Sequence, residues 1–519
     1  MSDWGDNMKN ILGREIPDYI EGYGQVKTFE GAFKNMEPLK SVSARIKPVV
    51  PGDEKLVNSI EEVLDKVQLR DGMCISFHHH LRNGDYILNM VVEAIAKRGI
   101  KDLTVAASSI FPTHKPLLAY IEDGTVSKIY ANYISGPVAA AISEGKLKYP
   151  AIMHTHGGRS RAIESGDLHI DIAFLGAPSS DMYGNINGLT GKSACGALGY
   201  AVSDAEYADT VIAITDNLVP YPNSPIEISQ VCVDYVVKVD SIGNPAGIVS
   251  GTTQITKDPI GLKIAKNALD AMIASELVKD GMSFQTGAGG ISLAVAAELR
   301  EYMNKNEIKG SFASGGITGY IVDMFEEGLF DSLLDVQCFD LKAVESCSKN
   351  KKHITMSASM YGNAHNKGAV VNNLDIVILG ATEIDTNFNV NVTTASDGTI
   401  MGGSGGHADT AAGSKLTIIV TKLTKARLPI IKEKLTTITT PGETIDVIVT
   451  ERGIAVNPKR VDLIEKLKAK KLNVVTIEEL KEIAEKITGT PKAIELSEDI
   501  VAVVEYRDGT VIDVVRKTL

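Results

Sequence analysis

The chain has 519 residues, of which 44% are hydrophobic and 23% charged, and its formal net charge is -12. This length exceeds one ordinary core and predicts a globular protein of at least two domains. The acidic balance argues against a nucleic-acid-binding protein, which needs basic surface to neutralise phosphates. Five scattered cysteines without a CxxC spacing predict reduced thiols. No signal peptide or membrane span is recognisable, so we expect a cytoplasmic protein.

The first half of the chain reads as one α/β domain preceded by an extension. Residues 1–51 show no sustained period, and we expect them to lie over the first domain or over a partner subunit. From residue 54 a helical pattern leads to the short apolar strand MCISF, the loop HHHLRNGD, the helix YILNMVVEAIAKRG and the strand LTVAASS. This order predicts a βαβ unit in a parallel sheet, and we place the first domain at residues 52–245.

The second half repeats the same order of elements. A segment rich in Gly, Thr and Pro at residues 240–260 predicts the linker, and we place the second domain at residues 255–519. The helix LKIAKNALDAMIASELV, the loop QTGAGG, the helix ISLAVAAELREYMNK and the strand SFASGG follow in turn. After Thr421 the chain predicts two helices and a final strand pair around the turn Arg507–Gly509.

An internal repeat supports two related domains. The segment Asp171–Asn187 returns as Asp375–Asn391 at a constant shift of 204 residues, with eight of seventeen positions identical. This period is far longer than the roughly 20–50 residues of a solenoid repeat. It predicts two copies of one α/β domain with the active site between them. We expect the asparagines of the first copy to stabilise a turn and leave the role of the second pair open: Asn185 and Asn187, Asn389 and Asn391.

Two glycine-rich loops in the second half are candidates for ligand binding. Gln285–Gly290 follows a strand and opens a helix, so its amides would face an anion or an acyl oxygen. It lacks the third spaced glycine and downstream acid of a dinucleotide fingerprint, which disfavours a nicotinamide dehydrogenase. Gly402–Gly406 is denser in glycine than a turn requires, which is typical of an oxyanion hole or a thioester cradle. The alternative is a pair of tight turns without a ligand.

Several motifs together resemble the CoA-transferase superfamily. They are the doubled DIxxLGA strand, GATEID at Gly380–Asp385 and the GGSGGHAD loop. Within the superfamily, SFHHHLRNGD, HTHGGRSRAIESGDLHIDIAFLGAPSSDMYGNING and VTERGIAVNP are most similar to the alpha subunits of citrate lyase, over nearly the whole chain from about Ile16. The resemblance implies two tandem homologous open α/β domains, CoA-transferase-like and Rossmann-like with mostly parallel sheets, and an active site between them.

The resemblance also implies a reaction and its partners. Acetyl on the thiol of a carrier protein's CoA-like prosthetic group would be exchanged for citryl, the first step of citrate cleavage to oxaloacetate and acetate. The expected partners are citrate, the acyl-carrier (gamma) subunit and the lyase (beta) subunit, in an oligomeric complex without nucleic acid or membrane. We expect no permanently bound cofactor, with acetyl-CoA as a surrogate substrate. A basic face for an acidic carrier would come from Lys349–Lys352 or Lys466–Lys471.

The expected site residues fall into three groups. For the thioester and the pantetheine arm they are Gln285, Thr286, Gly287, Gly289, Gly290, Gly403 and Ser404. For catalysis they are Gly405, Gly406, His407 and Glu383, of which Glu383 would hold the ribose or pantetheine end of the carrier group. For citrate they are polar and cationic loop residues, because arginine forks match carboxylates: His78, His79, Arg82, His156, Arg159 and Arg161, with His80 and His154 nearby. The alternative is that loop arginines are solvated.

Two negative inferences complete the expected chemistry. His-x-His spacing also occurs in metal sites, but no carboxylate or thiolate companions are evident by spacing, so we predict no metal. Many CoA-transferases use a glutamate nucleophile in a Ser-Glu context, whereas the comparable stretch here has Gly315 after Ser314. We therefore hypothesise direct attack of a citrate carboxylate on the acetyl thioester. Glu326, Glu327 and Glu383 stay open as alternative nucleophiles.

Two other functions stay open on the sequence alone. A free-standing acyl-CoA transferase or hydrolase would act on soluble CoA with the same fold. A metabolite sensor would use the doubled fold without catalysis, but no attached signalling module is recognisable.

Overall fold

The computed structural model describes residues 7–249, 254–492 and 494–519. The expected N-terminal extension and linker lie partly outside these ranges, and their boundaries stay predictions. No helix in the described ranges is both long and apolar enough to cross a lipid bilayer.

Two large sheets dominate the described residues. Neighbours in the first are parallel except for the hairpin at the chain end, and its ten strands follow one another in space as Val511–Thr518, Leu496–Glu505, Ala151–Met153, Val126–Ala131, Leu103–Ala107, Cys74–Phe77, Ile172–Ala177, Thr210–Thr215, Tyr235–Lys238 and Leu56–Val57. The second has nine strands with one antiparallel pair, in the order His353–Thr355, Phe330–Cys338, Gly310–Ile317, Ser283–Thr286, Ile376–Leu379, Leu416–Val420, Val447–Val449, Ile454–Val456 and Val474–Val475.

Helices and short strands connect these sheets. The helices are Ile60–Lys66, Ile87–Ala96, Leu117–Glu122, Pro137–Ser143, His156–Ser165, Ala201–Tyr207, Pro259–Ala274, Gly290–Lys305, Gly319–Glu326, Leu341–Lys349, Ala358–Gly362, His407–Gly413, Val461–Ala469 and Ile477–Thr488. The short strands outside the large sheets are Asn7–Lys9, Glu15–Pro17, Tyr19–Ile20, Gly24–Gln25, Ser179–Ser180, Ile186–Asn187, Glu383–Asp385, Val390–Asn391, Thr424–Lys425, Leu428–Pro429 and Ile431–Lys432.

The order of the strands confirms the internal repeat. In each sheet the strand of the repeated motif pairs on one side with the first strand of a βαβ unit and on the other with the next large-sheet strand in the chain. The corresponding strands are Cys74–Phe77 and Ser283–Thr286, Ile172–Ala177 and Ile376–Leu379, and Thr210–Thr215 and Leu416–Val420. The motif strands are buried apolar runs because helices cover both faces of each sheet. The predicted fold class is therefore confirmed.

The chain termini complete the first sheet. The expected hairpin around Arg507–Gly509 forms, but it pairs with Ala151–Met153 of the first half. The expected second domain, residues 255–519, therefore contains a segment that belongs to the sheet of the first. Ile16 and Ile20 of the N-terminal extension pack against Val503 and Val511 of this hairpin, so both ends of the chain meet at one edge of the sheet.

Local signals fix where individual helices begin. The first predicted helix starts at Ile60 rather than Glu54, because the Ser59 hydroxyl caps it by accepting from the backbone nitrogen of Glu62 at 3.1 Å. The Thr155 hydroxyl accepts in the same way from the backbone nitrogen of Gly158 at 2.8 Å. This second cap holds the start of helix His156–Ser165 at the carboxyl end of its preceding strand.

Candidate active site

Loops at the carboxyl ends of the two large sheets meet where the two halves join. The Nε2 atom of Gln337 donates a hydrogen bond to the backbone oxygen of His79 at 3.1 Å. The backbone nitrogen of His156 donates to the backbone oxygen of Gly405 at 2.8 Å. Ligands of open α/β sheets bind beyond the carboxyl ends of the strands, so this joint is the candidate active site.

Three rings of the first half pack together at this joint, and we call them the ring stack. The ring of Tyr200 contacts those of His79 and His156, with centroid distances of 4.6 and 4.5 Å, and the centroids of the two histidine rings lie 6.2 Å apart. Tyr200 and His79 are buried and His156 is half-buried. Of these three residues, only Tyr200 is missing from the sequence prediction.

Asn132 determines the tautomer of His156. The Asn132 amide nitrogen donates to the backbone oxygen of Thr155 at 3.1 Å, which fixes the orientation of the amide. The same nitrogen lies 2.8 Å from His156 Nδ1, so Nδ1 accepts and the ring hydrogen is on Nε2. This Nε2 group lies 3.1 Å from the Tyr200 hydroxyl oxygen, to which it donates. The hydrogen of the Tyr200 hydroxyl is thereby available to donate to a ligand oxygen.

The histidines at the joint are neutral rather than cationic. Burial lowers the pKa of His78 to about 4 and, with the charge of Arg159, that of His156 to about 3. Burial also holds the pKa values of His79 and His80 well below the ordinary range. These side chains are therefore neutral donors and acceptors rather than cations, and their expected contact with a tricarboxylate stays a prediction.

His78 lies behind the joint. Its Nε2 atom accepts from the backbone nitrogen of Gly176 at 2.9 Å, and its Nδ1 atom contacts Nδ1 of His80. Both ring nitrogens are therefore occupied within the first half. This assigns His78 to the support of the loop and not to direct contact with a ligand.

Arg82 is the cation best placed for a carboxylate. Its guanidinium carbon lies 5.5 Å from the ring centroid of Phe111 and 4.8 Å from that of Phe339, so it stacks between the two halves. One of its terminal nitrogens is buried without a hydrogen-bond partner. Among the described residues, no carboxylate lies within ion-pair distance of Arg82. A half-buried guanidinium with a buried, unpartnered nitrogen is suited to donate to an anionic ligand.

The other two predicted arginines are occupied elsewhere. Arg159 forms a buried bidentate ion pair with Asp204 at 2.6 and 2.9 Å. Arg161 lies 2.5 Å from a carboxylate oxygen of Asp167 and 3.7 Å from one of Glu505, beneath the C-terminal hairpin. Their charges are paired with carboxylates of the protein, so this geometry favours a structural role, and their expected contact with citrate stays a prediction.

His407 and Glu383 are also held by the protein. Thr440 Oγ1 lies 2.8 Å from His407 Nδ1, and His407 Nε2 donates to the backbone oxygen of Gly380 at 2.9 Å. Glu383 is fully buried, pairs with Lys432 and accepts from Ser396 Oγ at 2.6 Å. Burial alone would raise the pKa of Glu383, but these partners hold it below its ordinary value. The functional atoms of both side chains thus have protein partners, and their expected catalytic roles stay predictions.

The dense glycine loop joins the halves rather than forming an open cradle. A Cβ on Gly403 would lie 2.3 Å from the backbone oxygen of Asn132, and a Cβ on Gly406 would lie 2.3 Å from the hydroxyl of Tyr361. Gly405 has a φ of +51° and donates to the backbone oxygen of Asn132 at 3.2 Å. Ser404 accepts from the backbone of the following helix. Close approach across the joint thus accounts for the glycines at Gly403 and Gly406, and the expected thioester cradle stays a prediction.

The beginning of the helix after this loop strengthens the joint. Asp409 accepts from the Thr155 hydroxyl at 2.8 Å and from the backbone nitrogen of Gly157 at 2.9 Å. It also lies 3.6 Å from Arg507 of the C-terminal hairpin. Burial raises the pKa of Asp409 to about 6 despite these partners. The position of His156 thus depends on residues from both halves.

The other glycine-rich loop, Gln285–Gly290, stays open to a ligand. Gln285 donates to the Tyr361 hydroxyl at 2.8 Å, and Thr286 turns away by donating to the backbone oxygen of Ser292 at 3.1 Å. A Cβ on Gly287 or Gly289 would meet no atom closer than 3.7 Å. The 16-residue helix Gly290–Lys305 begins here without a side-chain cap. Its amino end is suited to bind an anion or a developing oxyanion.

No expected glutamate nucleophile reaches the joint. A Cβ on Gly315 would lie 2.6 Å from Gln285, and its φ of +101° favours glycine. Glu326 and Glu327 lie at the end of another helix, where they pair with Lys342 and Arg300. Glu383 is likewise paired with Lys432, so each of the three candidate glutamates lies in an ion pair.

Comparison of the sequence with known proteins identifies its family. A family model described as "Citrate lyase, alpha subunit (CitF)" matches residues 53–518. The chain belongs to the citrate lyase alpha subunit family. The citrate lyase alpha chain of Haemophilus influenzae is 50% identical over 463 residues, which cover 89% of this chain and 93% of that relative. The citrate lyase alpha chain of Escherichia coli is 49% identical over 465 residues, which cover 90% and 91%.

Solved structures of other proteins are also similar to this member of the citrate lyase alpha subunit family. A Streptococcus mutans protein described as an alpha subunit of citrate lyase in complex with citrate is 52% identical and has a TM-score of 0.95, covering 98% of this chain and 100% of that one. The alpha subunit of malonate decarboxylase from Acinetobacter baumannii has a TM-score of 0.61 at 16% identity, covering 84% and 93%. This second likeness shows the shared fold alone.

The residues at the joint of this family member that the sequence did not predict include Asn132, Tyr200, Gln337, Phe339 and Tyr361. They lack a local signal, because none of them belongs to a glycine-rich loop, to a histidine or arginine cluster or to the repeated motif. The internal repeat does not find them either, since the asymmetric site uses different residues from the two halves.

Proposed function

We propose that this chain exchanges acetyl for citryl on the thiol of an acyl-carrier protein's CoA-like prosthetic group. Membership of the citrate lyase alpha subunit family supports the assignment. The observation that carries it is Arg82, a guanidinium without a carboxylate partner among the described residues, at the joint between the halves. A tricarboxylate is the ligand class that this charge and the neutral donors around it would recognise.

Citrate would bind beside the ring stack. Arg82 would hold one citrate carboxylate, and the free hydrogen of the Tyr200 hydroxyl would be donated to a second oxygen of the substrate. Burial keeps the pKa of Tyr200 well above its ordinary value, so this hydroxyl stays protonated. The Streptococcus mutans relative was solved with citrate, which supports a citrate site on this fold.

The proposed transfer has two steps and no acyl-enzyme. In the first step a carboxylate oxygen of citrate attacks the acetyl carbonyl carbon, and the C–S bond breaks. The products of this step are the free carrier thiolate and a mixed anhydride of acetate and citrate. The thiolate then attacks the citryl carbonyl of this anhydride, and acetate leaves with the bridging oxygen. Gly315 supports direct attack, because glycine has no side chain that could accept the acyl group. Catalysis would depend on positioning and on stabilisation of the oxyanion.

The prosthetic group would enter along the open glycine loop. Gly287 and Gly289 leave space for the pantetheine arm, and the amino end of helix Gly290–Lys305 would stabilise the thioester oxyanion. The carrier (gamma) subunit would present this group, and the lyase (beta) subunit would cleave the citryl thioester. Lys351 and Lys352 are exposed on the turn after helix Leu341–Lys349 and would offer a basic contact for an acidic carrier.

The test compares two acyl donors with the same purified chain. The acetylated carrier protein and acetyl-CoA are each incubated with citrate, and mass spectrometry follows thioesters, free acids and the intact chain. We expect citryl-carrier and acetate to form together, with no acyl adduct on the chain. Faster exchange with acetyl-CoA would support the alternative of a free-standing CoA-transferase, and acetate release without citrate would support a hydrolase. A glutamyl adduct would contradict direct attack.

A further inference from the structure

Four side chains with metal-binding atoms converge inside the second half. Asp335, Cys338, Cys347 and His353 each offer one ligand atom, and these atoms all lie within 4.8 Å of one another. We call this group the Cys–His–Asp cluster. Asp335 and Cys338 are fully buried, while Cys347 is 6% and His353 4% exposed. The cluster is separate from the ring stack and takes no part in the proposed transfer.

Three consecutive elements assemble the cluster. Asp335 and Cys338 lie at the carboxyl end of strand Phe330–Cys338. Cys347 follows on the helix Leu341–Lys349, and His353 opens the next parallel strand. The first strand thus supplies a carboxylate and a thiol three residues apart, from Asp335 and Cys338. The following helix and the next parallel strand of this βαβ unit bring a second thiol and an imidazole beside them. The sequence prediction of no metal considered only the His-x-His pairs and overlooked this grouping.

Further hydrogen bonds orient the ligands. The Ser346 hydroxyl lies 3.0 Å from His353 Nδ1, which leaves Nε2 to face the cluster. The backbone nitrogen of Gln337 donates to Asp335 Oδ1 at 2.8 Å, so Oδ2 faces inward. His353 Nε2 and Cys338 Sγ approach this Oδ2 atom at 2.9 and 3.0 Å. Such outer contacts are typical of metal ligands, which need a second partner to hold their orientation.

We propose that the Cys–His–Asp cluster binds one structural Zn²⁺ ion. Two thiolates, one imidazole and one carboxylate form a four-ligand set of the kind that zinc prefers, and thiolates disfavour Mg²⁺ and Ca²⁺. All four ligands come from the protein and are buried, so the ion would have no open position for a substrate. Binding would release the two thiol protons to solvent and place a compensating charge among the buried anions.

The ion would stiffen one wall of the candidate active site. Gln337, which donates to His79 across the joint, and Phe339, which stacks on Arg82, flank Cys338 in the chain. Gly196 of the first half covers the cluster with a φ of +81°, and a Cβ there would lie 2.1 Å from Cys338 Sγ. Zinc at this position would therefore fix the second-half segment Gln337–Phe339 that contacts the first half at the joint.

The first experiment measures metal in the intact wild-type chain. The chain is produced in zinc-supplemented medium, purified without chelator and analysed for zinc by mass spectrometry. A parallel preparation in cobalt-supplemented medium is examined for the absorption band of cobalt–thiolate ligation. We expect stoichiometric zinc and a clear cobalt–thiolate band. These wild-type readouts do not depend on catalytic activity or on the folding of any variant.

Variants then assign the ion to the cluster. Cys347→Ser and His353→Ala should lose the zinc and the cobalt–thiolate band, whereas Cys232→Ser should keep both. Cys232 is a matched control because it is a free, half-buried thiol outside the cluster. Substoichiometric zinc and no cobalt–thiolate band in the wild type would overturn the proposal and leave a metal-free hydrogen-bonded cluster. Zinc retained by a folded Cys347→Ser chain would overturn the assignment to these ligands.

Discussion

Single residues of the internal repeat perform the same structural task in both halves. Asp171 accepts from the backbone nitrogen of Cys74 at 2.7 Å, and its counterpart Asp375 accepts from that of Ser283 at 2.9 Å. The two equivalent turns are likewise held by an asparagine that donates to an aspartate: Asn185 to Asp181 at 2.8 Å and Asn389 to Asp385 at 2.9 Å. Both copies of this asparagine are thus structural, which decides the question left open for Asn389.

Arginines that look alike in the sequence differ in their partners. Arg82, Arg159 and Arg161 were equally plausible ligands of citrate, since each follows a strand in a polar loop. The structure separates them because Asp204 neutralises Arg159 and Asp167 neutralises Arg161. Asp204 lies 45 residues from Arg159 in the chain and reaches it only in the packed fold, which no spacing along one element reports. Asp167 lies six residues after Arg161, but the sequence does not say that the two side chains pair.

We predict that Arg82→Gln raises the citrate concentration needed for half-maximal transfer by roughly tenfold to hundredfold, since charge-assisted hydrogen bonds contribute about 1.5–3 kcal/mol. The requirement for the thioester substrate should stay unchanged. Steady-state kinetics with each substrate varied in turn measures both. Arg45→Gln is the control, because Arg45 is exposed and pairs with Asp209. An unchanged citrate response in Arg82→Gln would remove this residue from the site.

We predict that His407 makes stability depend on pH. Burial lowers its pKa to about 4, so between pH 6.5 and 4 the unfolded chain binds a proton here and the folded chain does not. Stability falls as pH falls through this window. The His407→Gln chain lacks this loss, so its stability relative to wild type should improve by on the order of 2–3 kcal/mol between pH 7 and 4. Urea unfolding at several pH values measures the difference, and a constant difference would contradict the neutral buried state.

At the scale of elements, the sequence predicts what is local and repeated. The βαβ order, the apolar motif strands and the final hairpin all follow from short-range patterns, and the structure confirms them. The Gly402–Gly406 loop was ambiguous in the sequence, because dense glycine indicates close approach without saying whether a ligand or a backbone approaches. Here the approaching group is the backbone of Asn132. Gly287 differs from these glycines, because no backbone approaches it closely and the space around it is open.

We predict that Gly157→Ala destabilises the fold by about 1–3 kcal/mol, as expected for overpacking. The new Cβ would lie 2.0 Å from the backbone oxygen of Gly362, where helix His156–Ser165 contacts helix Ala358–Gly362 of the other half. Denaturant unfolding measures the change. Gly380→Ala is the matched control, because a Cβ there meets no atom within 4 Å. Equal free energies of unfolding for the two variants would show that the two helices can move apart without loss of stability.

At the scale of the whole molecule, distant segments of the chain hold the halves together. The largest apolar cluster contains residues of both halves without interruption. Arg14 of the N-terminal extension contacts Asp513 of the C-terminal hairpin at 2.9 Å and the backbone oxygen of Thr436 in the second half at 2.8 Å. These contacts were not predictable from the sequence, since they join segments more than 400 residues apart.

We predict that Arg14→Met lowers the free energy of unfolding by about 2–4 kcal/mol, because it leaves the buried carboxylate of Asp513 without its cation. The estimate is below that for a fully buried pair, since the Arg14 side chain is 24% exposed. Arg516→Met serves as the control, because its partner Glu498 is 97% exposed, and we expect a change below about 0.5 kcal/mol. Chemical denaturation measures both, and similar losses would indicate that Asp513 is solvated.

The position of the C-terminal hairpin determines when the first sheet is finished during protein synthesis. Between Met153, on the strand that the hairpin covers, and Leu496, where the hairpin begins, the ribosome adds 343 residues. At about 5–20 residues per second this takes roughly 17–70 s, during which the edge of strand Ala151–Met153 presents unpaired backbone groups. The nascent first half is therefore exposed to edge-to-edge aggregation until the hairpin has been synthesised. A premature stop late in the gene would leave this edge permanently uncovered and mark the truncated product for proteolysis.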